Sequence, residues 1–351
     1  HQALFIVVRA RCQHPQLSIN LHRICVDDFA TQARRQRSAQ CGLAAGGWPC
    51  DKNHIWRERV PTRFSQPSLL FSILPAIYMS YVLTLIGNQN TDLTEDVVTS
   101  VASALKLETQ PIWLKTDHAC DLPVADGERN QILNIARRAL DAAPIDMVFQ
   151  PIAGRRKKLL IADMDSTIIE QECIDELAES LGLRSAISEI TERAMRGELE
   201  FEAALRERVS LLKGLSEEEL QKVYDNQITE TPGGRALCAT MRKNGATCAL
   251  VSGGFTFFTS RVAAAVGFQS NQANTLLIEN GSLTGKVSDP ILGREAKRQA
   301  LHAFARDLGL APIDTMAVGD GANDLAMIGD AGLGVAFHAK PVVAEAAAAQ
   351  V

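Results

Sequence analysis

The hydrophobic positions of this chain alternate between two periods. Short, continuous apolar runs are typical of strands buried on both faces of a parallel sheet, and apolar residues at helical spacing stand between them. The pattern therefore predicts an α/β protein with a doubly wound, Rossmann-like parallel sheet whose site lies at the carboxyl ends of the strands. The predicted strands are 159–163, 246–252, 315–320 and, more weakly, 332–337.

The alternation is interrupted after the first of these strands. Residues 168–230 contain several helical patterns in succession and no strand, and one of them begins with a capping box, Ser216 with Glu219. We predict a helical cap over the strand ends at about residues 170–230. Further along, Asn280 and Gly281 separate two β-forming runs, which predicts a hairpin.

A second unit precedes this body. Residues 79–153 show strand, helix, strand, helix and strand in turn, with Thr94 as the predicted N-cap of the first helix. They predict a small α+β (ACT-like) domain. The basic run "GRRKK", 154–158, is expected to be an exposed linker at the start of the body, 154–351. The final residues, 344–351, continue a helical pattern.

Composition separates the first 78 residues from the rest. They carry a formal charge of +6, against −11 for the remainder, and hold four of the eight cysteines. The apolar run 67–87 approaches the length of a membrane span but is interrupted by Pro75, whereas Met79 opens an ordinary strand. We predict that residues 1–78 are a non-native or disordered leader. A signal or a membrane anchor is the alternative.

The overall charge of −5 gives no electrostatic case for a nucleic-acid partner. The cysteines match no zinc signature. After the leader they stand singly in apolar surroundings, which is typical of buried thiols in a reducing compartment. We therefore predict a cytoplasmic protein without a nucleic-acid or membrane partner. The four cysteines concerned are Cys120, Cys173, Cys238 and Cys248.

Polar residues that can carry chemistry stand just past three of the predicted strands. Each group alone would be an ordinary turn, but the carboxyl ends of parallel strands converge. Two aspartates one residue apart repel each other unless a cation or a reaction uses them. Together the groups supply oxygen ligands for a hard cation, a hydroxyl, flexible glycine backbone and an ammonium. The residues are Asp163 and Asp165; Ser252, Gly253 and Gly254; Asp320, Asn323 and Asp324; and Lys297.

These residues stand in recognisable motifs. The segments "DMDST", "VSGG" and "GDGAND", with a lysine before the last, resemble the motifs of the haloacid dehalogenase-like phosphatases. The resemblance extends over "DMDSTIIEQECIDELA", "RAMRGELEFEAALRERVSLLKGL" and "AVGDGANDLAMI", and so covers 159 to about 345. It implies the same sheet, a helical cap and hydrolysis of a phosphate ester.

The resemblance also implies a role for each motif residue. Asp163 would form an aspartyl-phosphate, and Asp165 would act as acid and then as base. The cofactor would be Mg2+, and the phosphoryl group would be held at a polar turn and by a lysine. The implied Mg2+ ligands are Asp163, the Asp165 carbonyl and Asp320; the implied phosphate-binding residues are Ser252, Gly253 and Lys297; and Asp324 would support the metal waters or the lysine.

Substrate choice is expected from the cap. By resemblance, Glu172 would face a substrate ammonium and Arg208 a substrate carboxylate, which favours phosphoserine. Met195 and Phe201 would cover the phosphate, and Asn323 would complete the site. Judged without the resemblance, Met195 and Phe201 would belong to the hydrophobic core of the cap, and Glu172 and Arg208 would lie on its solvated surface. A phosphotransferase, or a phosphatase for another small phosphomonoester, remains an alternative. So does a regulatory binding module with an idle body. A homodimer is a further possibility.

Overall fold

The computed structural model describes residues 80–88, 91–196 and 198–351, so the prediction for residues 1–78 lies outside the described residues. The strands are β1 Tyr81–Ile86, β2 Ile112–Lys115, β3 Ala119–Val124, β4 Asp146–Pro151, β5 Leu159–Ala162, β6 Thr247–Phe255, β7 Ser270–Asn274, β8 Leu276–Glu279, β9 Ser282–Val287, β10 Thr315–Gly319, β11 Leu333–Ala336 and β12 Ala349–Gln350. The α-helices are α1 Glu95–Ala104, α2 Arg129–Ala139, α3 Cys173–Ser180, α4 Arg184–Met195, α5 Phe201–Leu211, α6 Glu217–Gln227, α7 Gly234–Lys243, α8 Thr256–Val266, α9 Arg294–Asp307, α10 Leu325–Asp330 and α11 Pro341–Ala346.

Ten of these strands form one sheet in the order β2-β3-β1-β4-β12-β11-β10-β5-β6-β7. From β12 to β7 every neighbouring pair is parallel, whereas β1 to β4 pair antiparallel. The junction between the two parts is the antiparallel pair β4 and β12. The predicted fold class is confirmed, with β5, β10 and β6 adjacent at the centre of the parallel part.

The apolar runs of the central strands are buried on both faces, as their composition predicts. In β5, Leu160 and Ala162 belong to one hydrophobic cluster, and Leu159 and Ile161 to another on the opposite face. Successive side chains of a strand point to opposite faces, so a strand covered on both sides has no position for a polar residue. The first residue free to be polar is Asp163, which immediately follows this strand.

Strands β1 to β4 carry α1 and α2 over a hydrophobic cluster of their own, which includes Leu83, Val98 and Leu122. Thr94 caps α1 by accepting a hydrogen bond from the amide of Val97, as predicted. The sheet is nevertheless continuous from this part into the body. The domain boundaries at residues 79, 153 and 154 stay predictions.

The helical cap region contains α3, α4, α5 and α6 in succession. Ser216 and Glu219 form the predicted capping box at the start of α6. The predicted hairpin is also present as β8 and β9, and its turn residues Asn280 and Gly281 have φ values of 49° and 75°. Both residues of a type I′ turn need positive φ, which Asn and Gly tolerate.

Two local predictions are wrong. Within the basic run, Arg155 is buried in an ion pair with Asp121, and the buried Lys157 donates to the carbonyl of Ile313, so this segment is not an exposed linker. The final residues are not one helix, because β12 follows α11 and pairs with β11. Specific polar partners in the first case, and pairing with a strand on each side in the second, override the local pattern.

The four cysteines of the body and its preceding unit are free and buried, as expected. Among the described residues, no helix combines the length and the apolar character that a membrane crossing requires.

Candidate active site

The three polar groups predicted from the sequence meet at one edge of the parallel sheet. Asp163 follows β5, and Asp320 follows β10, its parallel neighbour. Ser252 and Gly253 do not follow a strand as predicted but lie within the last residues of β6, where the pairing with β7 is irregular. The irregularity lets polar residues belong to a strand whose preceding residues, 248–251, are apolar and buried.

A buried lysine connects two of these groups. The Nζ atom of Lys297, on α9, lies 2.7 Å from an Asp163 oxygen and 2.8 Å from an Asp324 oxygen. Burial alone would lower the pKa of Lys297, but the two carboxylates outweigh it and raise that pKa. Burial, only partly offset by Lys297, holds the pKa of Asp163 well above its usual range. A buried ammonium is thus fixed against the predicted nucleophile.

Asp163, Asp320 and Asp324 form an acidic cluster, with one oxygen from each lying within 4.8 Å of the others. Burial, and then the charge of Asp324, raises the pKa of Asp320. Such crowding is unfavourable for three carboxylates with one ammonium between them. Carboxylate oxygens at this spacing fit a hard divalent cation. The chemistry of the cluster therefore agrees with a metal site.

Asp165 is held from two sides. Its Oδ1 accepts from the Cys173 amide at 2.9 Å, and its Oδ2 accepts from the Ser252 hydroxyl at 3.1 Å. A Cβ added at Gly254 would lie 2.7 Å from the same Oδ2, so a close approach makes glycine necessary there. Burial raises the pKa of Asp165 despite the hydrogen bond from the Cys173 amide, which lowers it.

Glu172 and Arg208 stand at the exposed side of the site. Glu172 precedes α3 and accepts from the Ser166 hydroxyl at 2.8 Å. Its side chain reaches solvent, yet partial desolvation of the carboxylate, and then the charge of Asp165, raise its pKa to about 7. Burial lowers the pKa of Arg208 on α5, against the charges of Asp175 and Glu172. The charges of Asp175 and Glu172 thus act on Arg208 without outweighing its burial.

Phe201, the first residue of α5, covers the polar turn of β6. Its ring would lie 3.5 Å from a Cβ added at Gly253 and 3.1 Å from one at Gly293. Asn323 lies in the short turn Ala322–Asp324, with its side chain over Gly321. Met195 ends α4, and its side chain lies outside the described residues.

Three residues with polar contacts in the site did not stand out in the sequence. The buried Asn274 donates to the carbonyls of Gly253 and Leu292 and so joins β6 to the segment before α9. Ser166 has a φ of 54° and holds Glu172. Cys173 contacts Asp165. Asn274 ends β7, whose sequence SNQAN carries no apolar strand signal, so nothing local indicates its role or its partners.

Comparisons with known proteins agree with this geometry. A family model described as haloacid dehalogenase-like hydrolase matches residues 160–328. A phosphoserine phosphatase of Albidiferax ferrireducens is 46% identical over 195 residues, which are 54% of this chain and 82% of that protein. One from Archaeoglobus fulgidus is 45% identical over 213 residues, 60% of this chain and 62% of that protein. The chain belongs to the haloacid dehalogenase-like hydrolase family.

Within that family, the similarity is to phosphoserine phosphatases. A solved phosphoserine phosphatase with bound substrate is 40% identical, has a TM-score of 0.52 and covers 56% of this chain and 92% of its own. A family hydrolase from Salmonella enterica serovar Typhi is 30% identical with a TM-score of 0.70, and it covers 78% of this chain and 94% of its own. The second match covers more of the chain than the family model does. The chain spans less than two thirds of the Archaeoglobus enzyme.

Proposed function

We propose that this protein is a Mg2+-dependent phosphoserine phosphatase, which hydrolyses O-phospho-L-serine to L-serine and phosphate. The observation that carries the proposal is the buried contact of Asp163 with Lys297 in an acidic cluster, with Asp165 two residues further along. The named relatives and the substrate-bound structure support the choice of substrate. The proposed reaction is the last step of serine biosynthesis, in the cytoplasm.

In the first half-reaction, an Asp163 oxygen attacks phosphorus. The bond between phosphorus and the serine oxygen breaks, and the proton of Asp165 passes to that oxygen, so serine leaves as a neutral alcohol. Asp163 then carries the phosphoryl group. The raised pKa of Asp165 favours the protonated form that this step needs.

In the second half-reaction, water attacks the phosphorus of the aspartyl-phosphate. Asp165 takes a proton from this water, the bond from phosphorus to Asp163 breaks, and phosphate leaves. Lys297, Ser252 and the Gly253 amide would stabilise the charge on the phosphoryl oxygens. Both halves use the same residues, which returns the site to its starting state.

Asp163, Asp320 and the main-chain carbonyl of Asp165 would hold Mg2+, with Asp324 supporting its waters or Lys297. When bound, the cation would neutralise charge on the phosphoryl oxygens. The oxygen-only donor set supports a hard cation of this kind.

Specificity would come from the exposed side of the site. Glu172 would bind the substrate ammonium, and Arg208 would bind its carboxylate through two parallel hydrogen bonds. Phe201 and Met195 would exclude water from the phosphate, and Asn323 would contact the substrate. One carboxylate and one guanidinium at the solvent-facing side of the site, neither of which forms an ion pair in the part of the chain that the structure describes, support a substrate that carries both charges. A homodimer formed through residues 79–153 is proposed by fold-level analogy.

The test is phosphate release from L-phosphoserine by the full chain, with Mg2+ and with a chelator. We expect Mg2+-dependent turnover that the Asp163→Asn variant loses, because an amide cannot act as the nucleophile. The matched control is Asp314→Asn, which removes an aspartate paired with Lys158 outside the site.

Each result separates a different part of the proposal. Equal turnover by wild type and Asp163→Asn would contradict the aspartyl-phosphate. Release from other phosphomonoesters but not from phosphoserine would keep the chemistry and contradict the roles of Glu172 and Arg208. Transfer of the phosphoryl group to an added alcohol in preference to water would identify a phosphotransferase instead.

A further inference from the structure

The hairpin of β8 and β9 lies outside the ten-stranded sheet. Among the strands that the structure describes, these two pair only with each other. Burial alternates along β9, where Leu283, Gly285 and Val287 are buried and Lys286 is exposed. A two-stranded hairpin is marginally stable by itself and needs another surface to pack against. The buried face of β9 therefore indicates that the hairpin packs on a neighbouring element.

That neighbour is the loop between α5 and α6 of the cap. The Gly214 amide donates to the Leu283 carbonyl at 2.8 Å, and the Leu283 amide donates to the Leu215 carbonyl at 2.8 Å. The Glu217 amide donates to the Gly281 carbonyl at 3.1 Å. Leu283 and Leu215 also belong to one hydrophobic cluster. The cap loop thus pairs with β9 through its backbone, although the two are far apart in the sequence.

The hairpin also approaches the end of α5 closely. Gly285 has a φ of 77°, and a Cβ added there would lie 2.9 Å from the Lys213 Cβ and 3.2 Å from the Ser210 carbonyl oxygen. Arg208 stands two residues before Ser210, in the last turn of α5. Phe201 begins that helix, about 13 Å from Ser210 along its axis at a rise of about 1.5 Å per residue. The hairpin therefore contacts the part of α5 that carries Arg208.

The base of the hairpin is fixed to the body. The Ser288 amide donates to the Thr275 carbonyl at 2.9 Å, which joins the two ends of the hairpin. The Leu292 amide donates to Oδ1 of Asn274, at 2.7 Å, and Nδ2 of Asn274 donates to the Gly253 carbonyl at 2.8 Å. The hairpin thus extends from the polar turn of β6 to the end of α5.

We propose that the hairpin of β8 and β9 is a second part of the cap and positions Arg208 for the substrate carboxylate. The inference rests on the proposed function, because that function assigns the carboxylate to Arg208. The ends of the cap region meet at the bridge between Ile169 and Glu230, whereas α5 lies in the middle of that region. The hairpin supports this middle part from the body. A guanidinium that binds a carboxylate through two hydrogen bonds needs such a fixed orientation.

A rival explanation is that the hairpin only adds to the general stability of the cap. Loosening it would then disturb every residue over the site, including Phe201, and would slow the hydrolysis of all phosphate esters alike. A positioning role affects substrates differently, because only a substrate with a carboxylate uses Arg208. p-Nitrophenyl phosphate has no carboxylate, so it distinguishes the two explanations.

The experiment compares two glycines of the same hairpin in the full chain. Gly285→Ala places a methyl group against α5, whereas Gly281→Ala, at a φ of 75°, carries similar backbone strain but meets nothing within 4 Å. We expect Gly285→Ala to lower kcat/KM for L-phosphoserine by about tenfold, mainly through KM, and that for p-nitrophenyl phosphate by no more than about twofold. Gly281→Ala should change both constants by less than about twofold.

Hydrogen exchange of the α5 amides measures the support directly. We expect the last turn of α5 to exchange about tenfold faster in Gly285→Ala and at the wild-type rate in Gly281→Ala. If Gly285→Ala does not fold, Leu283→Ala replaces it, since Leu283 is buried and its backbone pairs with the cap loop. Its control is Leu277→Ala, because Leu277 is 38% exposed on the same hairpin. The selective loss is then expected of Leu283→Ala alone.

Either of two results would overturn the inference. One is an equal loss for both substrates in Gly285→Ala, and the other is α5 exchange that matches that of Gly281→Ala. A failure of the proposed function would look different, because wild-type protein would then release no phosphate from phosphoserine. The exchange experiment needs no substrate and would in that case decide alone. Faster exchange in Gly285→Ala would support the contact of the hairpin with α5 as a support of the cap, and unchanged exchange would reject it.

Discussion

The floor of the site and its mouth are built in opposite ways. The floor consists of Asp163, Ser252, Lys297 and Asp324, all of which are at most 4% exposed. The mouth consists of Glu172, Phe201 and Arg208, which lie at or near helix termini of the cap and reach solvent. Charged groups in the floor are fixed by each other, whereas those in the mouth have neighbours but no close ion pair among the described contacts.

This difference separates chemistry from recognition. A buried, preorganised group stabilises the transition state of any phosphate ester that reaches it. An exposed group contributes through the parts of the substrate that do not react. Changes in the floor should therefore reduce turnover of all substrates, and changes in the mouth should reduce turnover of phosphoserine in particular. Four predictions test this division, beginning with the largest effect.

Replacing Lys297 by Met should have the largest effect. It leaves Asp163 and Asp324 buried without their shared cation, so we expect turnover to fall about a thousandfold or more for every phosphomonoester. The free energy of unfolding should fall by about 3 kcal/mol, since an uncompensated charge stays buried. Phosphate release and urea unfolding measure the two effects. Loss for phosphoserine alone would contradict the division.

Replacing Gly254 by Ala should reduce turnover by about a hundredfold for all esters with an alkoxide leaving group. The added methyl group would lie 2.7 Å from Asp165 Oδ2 and would push the acid away. Gly329→Ala is the matched control, because a Cβ there meets nothing within 4 Å. Steady-state rates of both variants measure the effect. Similar rates would show that turnover does not depend on the close approach of residue 254 to Asp165.

Replacing Arg208 by Lys should affect recognition and not chemistry. The charge remains, but the fork that grips a carboxylate is lost, so kcat/KM for phosphoserine should fall about thirtyfold. p-Nitrophenyl phosphate has no carboxylate and should lose less than about threefold. Arg206→Lys is the matched control, since Arg206 pairs with Asp289 at the surface. Equal losses for both substrates would show that Arg208 contributes to the chemistry and not to substrate recognition.

The smallest effect concerns pH. Because the pKa of Glu172 is raised to about 7, its carboxylate is partly protonated at neutral pH and ionises as the pH rises. Only the ionised form attracts an ammonium, so KM for phosphoserine should fall several-fold, up to about tenfold, between pH 6 and pH 8. Glu172→Gln should remove this dependence. A KM that rises over the same range would contradict the role of Glu172.

The floor could be predicted from the sequence to a large extent. Asp163, Ser252 and Asp320 stand at the ends of apolar strands, and parallel packing brings such ends together whatever the details. Their contacts could not be predicted in the same way. The pairing of Lys297 with Asp163 depends on how α9 packs on the sheet, and the contact of the Cys173 amide with Asp165 depends on a turn of the chain between β5 and α3.

The strand order illustrates the same limit. Apolar runs predicted β5, β6 and β10, because burial on both faces leaves a strong local signal. β7 has only one residue, Asn274, that is buried, and β12 is two residues long, so neither carries that signal. β7 and β12 are strands because they form hydrogen bonds with neighbouring strands, and their own sequences do not indicate this. The burial of Arg155 leaves no local signal for a related reason, because its partner Asp121 lies 34 residues away in the sequence.

The junction between β4 and β12 has a consequence for how the molecule responds to force. The described backbone register between these strands joins Val148 to Ala349, and Arg129 reinforces it by donating to the carbonyls of Ala347 and Ala348. A load applied to β4 would reach the parallel strands through β12, where few hydrogen bonds share it. We expect this junction to separate before β5 and β10 do. We therefore expect the ten strands, which form one sheet in their hydrogen bonding, to yield under load as two parts.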